Sequence, residues 1–128
     1  MKKVEYKKYE EYQKVVEIEN KVKALRDEIK DLQSEKARYL SDVIAPKIEA
    51  DFGIKKGDVV KVAINGFSGC TREFNGVYDS VRFEGCAYPK IRKLNKKGEA
   101  SKVFISITPC LDLEAVKFEV VGHVEITD

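Results

Sequence analysis

The stretch VVEIENKVKALRDEIKDL, residues 15–32, decides the fold of the first half of this 128-residue chain. Its apolar residues recur three and four positions apart, which predicts a helix with one apolar stripe in a heptad pattern. β-Branched residues hold the a positions and Ile or Leu the d positions, which favours a parallel two-stranded coiled coil and leaves an antiparallel one open. The predicted seam, interrupted at Lys36, consists of Val15, Ile18, Val22, Leu25, Ile29, Leu32, Tyr39 and Val43.

The helix extends outward from this stretch, since no Gly or Pro lies between Lys2 and Ala45. A helix of 40 residues is about 60 Å long, and a small second domain cannot cover an apolar stripe of that length. We therefore expect a homo-oligomer in which the N-terminal helices of two copies pair, while a helical hairpin stays open as an alternative. Pro46 predicts a kink or break, followed by one short helical turn that ends at Gly53.

Composition changes sharply after Phe52, because all eight glycines and two of the three prolines follow it. Five or six strands are predicted there: 58–64, 77–84, 87–94, 102–107 and 116–126, the last bent or split at Gly122. Asn95–Gly98 predicts a tight hairpin turn and Thr108–Leu113 a single 3₁₀ turn. The expected fold is α+β, with a long coiled-coil helix over 1–52 and a small SH3-like β barrel over 53–128.

The start of the second half carries a motif found in small barrels: Gly57-Asp58-Val59-Val60-Lys61-Val62, then Gly66-Phe67-Ser68-Gly69, then Gly76-Val77. A Gly-Asp-x-Val strand, a Gly-rich loop and a Gly-x-Val strand in this order resemble the KOW-type SH3-like domains. That family often binds RNA, or contacts protein in the transcription and translation machinery, so the resemblance implies a binding role. The chain departs from the family pattern in Cys70–Asn75, which we interpret as an insertion before the Gly-x-Val strand.

One charge feature stands out from the balanced background of 24 basic and 22 acidic residues. A cluster of basic residues flanks the predicted hairpin turn, with Glu99 as its one acidic member. Such a ridge with nearby aromatics predicts a surface that contacts nucleic acid or an acidic protein, although lysines also protect sheet edges from aggregation. The predicted site consists of Tyr88, Lys90, Arg92, Lys93, Lys96, Lys97, Lys102 and Phe104.

Strand alternation predicts the orientation of this basic hairpin. With Ile91 in the core, Lys90 and Arg92 face water. On the returning strand, Val103 then faces the core and Phe104 stays exposed beside the cations. An exposed aromatic ring flanked by cations is the arrangement that stacks on a nucleic-acid base.

The three cysteines, Cys70, Cys86 and Cys110, and the single His123 lack the paired spacing of a zinc site. We expect reduced, metal-free thiols and no bound metal ion or cofactor. No phosphate-binding glycine loop occurs, and nothing orders a Cys–His pair for catalysis. Neither an enzyme nor a small-molecule substrate is therefore expected.

These patterns together favour a non-enzymatic dimeric binding module, whose barrel contacts nucleic acid or an acidic protein surface through the basic hairpin. The alternative is a structural or assembly protein, of the build of small phage or mobile-element proteins, that acts through its coiled coil. No apolar run approaches the roughly 18–20 residues that span a membrane, and Met1–Tyr6 leads into charged residues. We expect a cytoplasmic location and no membrane partner.

Overall fold

A computed structural model describes residues 1–65, 71–106 and 108–126 of the chain. It contains one long N-terminal helical run and a five-stranded antiparallel sheet, which confirms the α+β class. The chain divides into two compact units, Met1–Tyr39 and Leu40–Asp128. None of the helices in the described ranges has the length and apolarity needed to cross a membrane.

Helix α1 spans Tyr12–Tyr39 as one element of 28 residues, after a short 3₁₀ turn at Tyr6–Lys8. Without Gly or Pro, its ladder of backbone hydrogen bonds continues to the end, so the helical hairpin is not formed. No residue of α1 is buried. The predicted apolar stripe is therefore present and uncovered in the single chain.

A π-helical turn at Leu40–Ile44 leads from α1 to helix α2, Ala45–Phe52. Pro46 lies in the first turn of α2 and offers no N–H to the preceding turn, which is where the helix widens. Gly53 ends α2 with φ 68° and ψ 33°, and its N–H donates to the carbonyl of Ala50. The predicted glycine cap is confirmed, whereas the helical run is not broken at Pro46 but continues through the π turn to Phe52.

Helix α2 belongs to the same compact unit as the sheet because its apolar end packs there. The Phe52 ring meets the Phe118 ring edge-on, with centroids 5.5 Å apart. Ile54 follows at once and is buried in the core. The second unit therefore begins at Leu40, ahead of the composition change after Phe52.

The sheet contains five strands in the order β4-β3-β2-β1-β5, with all neighbours antiparallel. Consecutive strands pair through β4, and the last strand returns to pair with the first. The bounds of β1 and β3 lie within one residue of those predicted. The strands are β1 Asp58–Asn65, β2 Thr71–Glu84, β3 Cys86–Leu94, β4 Ala100–Phe104 and β5 Val116–His123.

Alternate residues of the central strands form the core. Val60 and Val62 of β1, Tyr78 of β2 and Ile91 of β3 have no exposed surface. Gly76 lies where strands approach closely, since a Cβ atom there would stand 2.4 Å from Cγ2 of Ile91. Any larger residue at this position would push β2 and β3 apart.

Strand β2 is longer than predicted. Residues 71–75 continue the strand and pair with β1, with Asn75 opposite Lys61 and Thr71 opposite Asn65. Strand β2 therefore begins six residues before the predicted Val77, because the pairing with β1 outweighs the weak strand pattern of these polar residues. Cys70 and the Gly-rich loop at 66–69 lie outside the described residues.

The turn before β5 also differs from the prediction. Described residues of Thr108–Leu113 form no 3₁₀ turn; the chain turns after Asp112, whose Oδ1 accepts the N–H groups of Glu114 and Ala115. These two hydrogen bonds lower the pKa of Asp112. The predicted bend at Gly122 is confirmed, since the pairing register of β5 on β1 shifts there.

A disulfide joins Cys86 to Cys110 across 24 residues. The expectation of reduced thiols is wrong for these two cysteines. Their spacing gave no sign of the pairing because the fold brings them together: the N–H of Leu111 donates to the carbonyl of Ala87, seating this segment on the start of β3. Such crosslinks are typical of oxidising compartments.

Candidate functional site

Pairing of β2, β3 and β4 places cations and aromatic rings beside each other. Arg82 lies opposite Tyr88, and its Cζ is 5.0 Å from the centre of that ring. Two residues along β3, Nζ of Lys90 lies 4.7 Å from the centre of the Phe104 ring on β4. We call these four residues, Arg82, Tyr88, Lys90 and Phe104, the cation–aromatic surface. Cations over ring faces hold the side chains in place while leaving their outer surfaces open.

A pocket of about 210 Å³ opens within this surface. Its wall combines two cationic groups, two hydroxyls and an apolar floor, and no carboxylate from the described residues lines it. Ammonium, guanidinium and hydroxyl groups can all donate to an anionic oxygen. The Phe104 ring lies against two cations, with Nζ of Lys90 4.7 Å and Cζ of Arg92 5.2 Å from its centre. The lining residues are Arg82, Pro89, Lys90, Phe104, Ile105, Ser106 and Thr108.

Arg82 is the one cation of the pocket that the sequence analysis missed. It lies on β2, outside the basic cluster that drew attention to the hairpin. The signal in the sequence that could have found it is its distance from the turn. Because Gly85 forms the turn between β2 and β3, residues equally far from Gly85 pair, and Arg82 lies opposite Tyr88. Arg82 keeps half of its side chain exposed, and Glu84 is 3.7 Å from its Nε.

The prediction that Arg92 faces water is wrong, since the residue is only 6% exposed. Its Nε donates to Oδ2 of the buried Asp79 over 2.6 Å, and Ser80 donates to the other carboxylate oxygen. A register shift between Tyr78 and Ser80 leaves Asp79 as an extra residue in β2. This bulge turns the carboxylate inward, and the buried arginine compensates its charge. Arg92 therefore supports the surface rather than offering a free cation.

Phe104 is exposed as predicted, at 37% of its surface, and lies opposite Arg92. Val103 does not face the core, since 57% of it is exposed. The register of β4 on β3 shifts between Arg92 and Leu94, where β4 contains extra residues. There the Ser101 hydroxyl donates to the carbonyl of Lys93 in place of a regular backbone pair. Ile105 is the residue of this strand end that packs on the core.

The remaining predicted lysines lie toward the hairpin turn and are exposed. Asn95 shapes that turn, since its Oδ1 accepts the N–H groups of Lys97 and Glu99. Tyr88 and Lys90 are half-buried. The structure thus assembles part of the predicted site and leaves the other lysines as a solvated rim, namely Lys93, Lys96, Lys97 and Lys102.

The predicted dimerisation residues on α1 all lie on the exposed stripe, with Leu25 and Leu32 more than half exposed. Val43 belongs to the second unit, in the π turn, and is half-buried. Covering the stripe requires a surface that the described unit Met1–Tyr39 does not itself supply.

A second, open concavity of about 630 Å³ lies between α2 and β5. His123 borders it, and its Nδ1 is 3.1 Å from Oδ1 of the buried Asp58. The other carboxylate oxygen accepts the N–H of Lys55. Asp58 therefore fastens the loop before β1, and the described lining carries no thiol or hydroxyl that the histidine could activate.

Tyr78 lies behind this concavity in the core. Its hydroxyl is buried and forms no hydrogen bond of good geometry within the described residues. Burial, followed by the carboxylate of Glu49, raises the pKa of Tyr78 above its ordinary value. Tyr78 consequently stays protonated and acts as a large apolar core residue.

No group of three metal-ligating side chains occurs among residues 1–65, 71–106 and 108–126. No protein-family model matches the chain, and neither curated proteins nor solved structures give a match. The proposed function therefore rests on the geometry of the chain itself.

Proposed function

We propose that this protein is a non-enzymatic dimeric binding module. Helix α1 pairs with a second copy through its apolar stripe, as a coiled coil. The sheet unit, as a small SH3-like barrel, contacts a polyanionic macromolecule through the cation–aromatic surface and the lysine rim. The resemblance to KOW-type domains supports the same role.

The observation that carries this proposal is the pairing of two cations with two aromatic rings at and beside one pocket. Lys90 covers Phe104 and Arg82 covers Tyr88, with distances of 4.7 and 5.0 Å to the ring centres. A surface selected only for solubility gains nothing from a 37%-exposed phenylalanine at its centre. Base stacking with phosphate contact uses both features at once, so nucleic acid is favoured over an acidic protein surface.

Binding of a fluorescent single-stranded RNA and its DNA equivalent, followed by anisotropy at about 50 and 200 mM salt, tests the proposal. Wild-type affinity should fall steeply with salt. We expect Lys90→Glu to weaken binding about tenfold or more and to reduce the salt slope. Lys117→Glu is the matched control, because it makes the same charge change on β5 at the opposite edge of the sheet.

Three results would contradict the proposal. Wild-type protein that binds neither oligonucleotide at low salt removes the nucleic-acid role. Equal losses in Lys90→Glu and Lys117→Glu indicate attraction by net charge alone. Tight binding of an acidic peptide with no binding of RNA or DNA assigns the surface to a protein partner.

The uncovered stripe of α1 favours a second candidate, a structural or assembly protein that acts through its coiled coil. In that case the oligomer persists and neither oligonucleotide binds. Light scattering on the full chain, alongside the anisotropy assay, separates the two functions.

A further inference from the structure

Helix α1 carries a charge pattern on both flanks of its apolar stripe. On one flank, the residues just before each a position change from positive to negative along the helix: Lys14, Lys21, Glu28 and Glu35. On the other flank, Glu19 precedes Arg26. All six side chains are exposed. Charges flanking the seam of a coiled coil set the choice and direction of the partner.

A second copy in the antiparallel direction complements every one of these charges. With Val22 level with the partner's Leu25, the stripe forms six apolar layers. The first layer pairs Val15 with the partner's Leu32, and the last pairs Leu32 with the partner's Val15. The same register brings Lys21 beside the partner's Glu28. It also brings Lys14 beside the partner's Glu35, and Glu19 beside the partner's Arg26, each pair occurring twice by symmetry.

A parallel pair is less favourable. It brings Lys14 beside the partner's Glu19, but this attraction is offset by Lys21 beside the partner's Arg26, and Lys36 stacks against Lys36 at an a position inside the seam. In the antiparallel register Lys36 instead meets the partner's Glu11. The preference of β-branched a residues for parallel dimers is thus opposed by like charges that only one direction brings together.

We propose that two copies of α1 pair antiparallel, with Val22 of each chain level with Leu25 of the other. The inference rests on the self-association in the proposed function and specifies its partner and direction. Lys14 contacts Glu17 of its own helix at 3.8 Å, but this exposed pair is weak enough to yield to the partner. The two Tyr39 residues then lie about 46 Å apart along the rod, against about 10 Å in a parallel pair.

Disulfide trapping in the full chain distinguishes the two directions. Cys70→Ser first removes the cysteine that the Cys86–Cys110 disulfide does not use. Two proteins are then made in this background, Val15→Cys and a size-tagged Leu32→Cys. When they are mixed and oxidised, the antiparallel pair gives the mixed crosslinked dimer. Neither protein alone should crosslink, because two copies of position 15 are about 25 Å apart in this register.

Homodimers crosslinked through position 15, without the mixed species, overturn the antiparallel direction while leaving the proposed dimer intact. An uncrosslinked species with dimer mass overturns the register. A monomer at high micromolar concentration overturns self-association itself, and with it this part of the proposed function.

Charge reversal gives a second test in which the two directions predict opposite signs. Lys21→Glu opposes the partner's Glu28 in the antiparallel pair, so the dimer dissociation constant should rise about tenfold. In a parallel pair the same change relieves repulsion with the partner's Arg26 and the constant should fall. Adding Glu28→Lys reverses both charges and should restore wild-type dimerisation only in the antiparallel pair.

Lys30→Glu is the control, because it makes the same charge change on the exposed side away from the stripe. Its dimer dissociation constant should remain within about twofold of the wild-type value. Circular dichroism at high protein concentration shows whether each variant keeps its helix. Tighter dimerisation by Lys21→Glu overturns the proposal.

Discussion

The two compact units of this chain differ in how much of their apolar surface they bury. The sheet unit buries its own apolar residues, with Val60, Val62 and Ile91 inaccessible to water. Helix α1 buries none, although it has a longer apolar stripe than any strand. The sheet unit is therefore stabilised within the single chain, whereas α1 depends on the proposed pairing with a second copy, because an isolated helix gains little from its backbone hydrogen bonds alone.

The two units also differ in the burial of their charged side chains. In the sheet unit Arg92 and Asp79 are buried and compensate each other at 2.6 Å. In α1 the charges are exposed and arranged along the stripe. The buried charges compensate each other within the sheet unit, whereas the exposed charges on α1 are the ones that specify the partner in the proposed pairing. Substitutions in α1 should therefore leave the stability of the sheet unit unchanged, and substitutions in the sheet unit should leave dimerisation unchanged.

The largest expected effect is on association. Leu25→Asp replaces an apolar layer in both copies and places two carboxylates in the seam, costing about 5 kcal/mol or a several-thousandfold weaker dimer. Light scattering should give a monomer, while the thermal transition of the sheet unit stays in place. Asn20→Asp, on the exposed opposite side of α1, is the control and should remain dimeric. A dimeric Leu25→Asp protein would show that α1 associates through another face.

Breaking the buried ion pair should act on the sheet unit alone. Arg92→Ala leaves Asp79 buried without its cation, which costs about 4 kcal/mol in unfolding free energy. Urea unfolding followed by tyrosine fluorescence measures the loss. Arg82→Ala, at the exposed pair with Glu84, should cost less than about 1 kcal/mol. Equal losses in the two variants would mean that burial of the Arg92–Asp79 pair has no energetic consequence.

Removing the disulfide should have the next largest effect. Replacing Cys86 and Cys110 together by Ser should lower the unfolding free energy by about 3 kcal/mol, because the bond closes a loop of 24 residues. Reductant should lower wild-type stability to the same level and leave the double variant unaffected. A wild-type protein insensitive to reductant would contradict the assignment. Dimerisation through α1 should not change.

The smallest effect concerns Tyr78. Since its pKa is raised by burial, the unfolded chain releases this proton first, and stability present below about pH 10 is lost as pH rises above it. Tyr78→Phe should reduce this alkaline loss. At neutral pH the variant should be equal to wild type or more stable by up to about 1 kcal/mol, because the buried hydroxyl forms no hydrogen bond of good geometry within the described residues. A strong loss at neutral pH would reveal a bond to that hydroxyl.

Local pattern was enough to predict the long helix and the hairpin turn. The heptad spacing from Val15 to Leu32 predicted a helix and Gly53 its end, because each acts on backbone within one or two turns. Alternation also predicted β1 and β3. Asn95–Gly98 predicted the hairpin turn, since Gly98 adopts a φ of 78° that other residues avoid.

Tertiary structure decided the parts that depend on which strands meet. The bulge at Asp79 brought a buried carboxylate against Arg92, and extra residues in β4 left Val103 exposed, because a register shift changes which side chains meet across the strands. Arg82 entered the candidate site, and Cys86 reached Cys110, only through pairing across the sheet. By itself the sequence determined the helix, its exposed stripe and the flanking charges, since these repeat along one element. The cation–aromatic surface required contacts between residues distant in the chain, which no local period encodes.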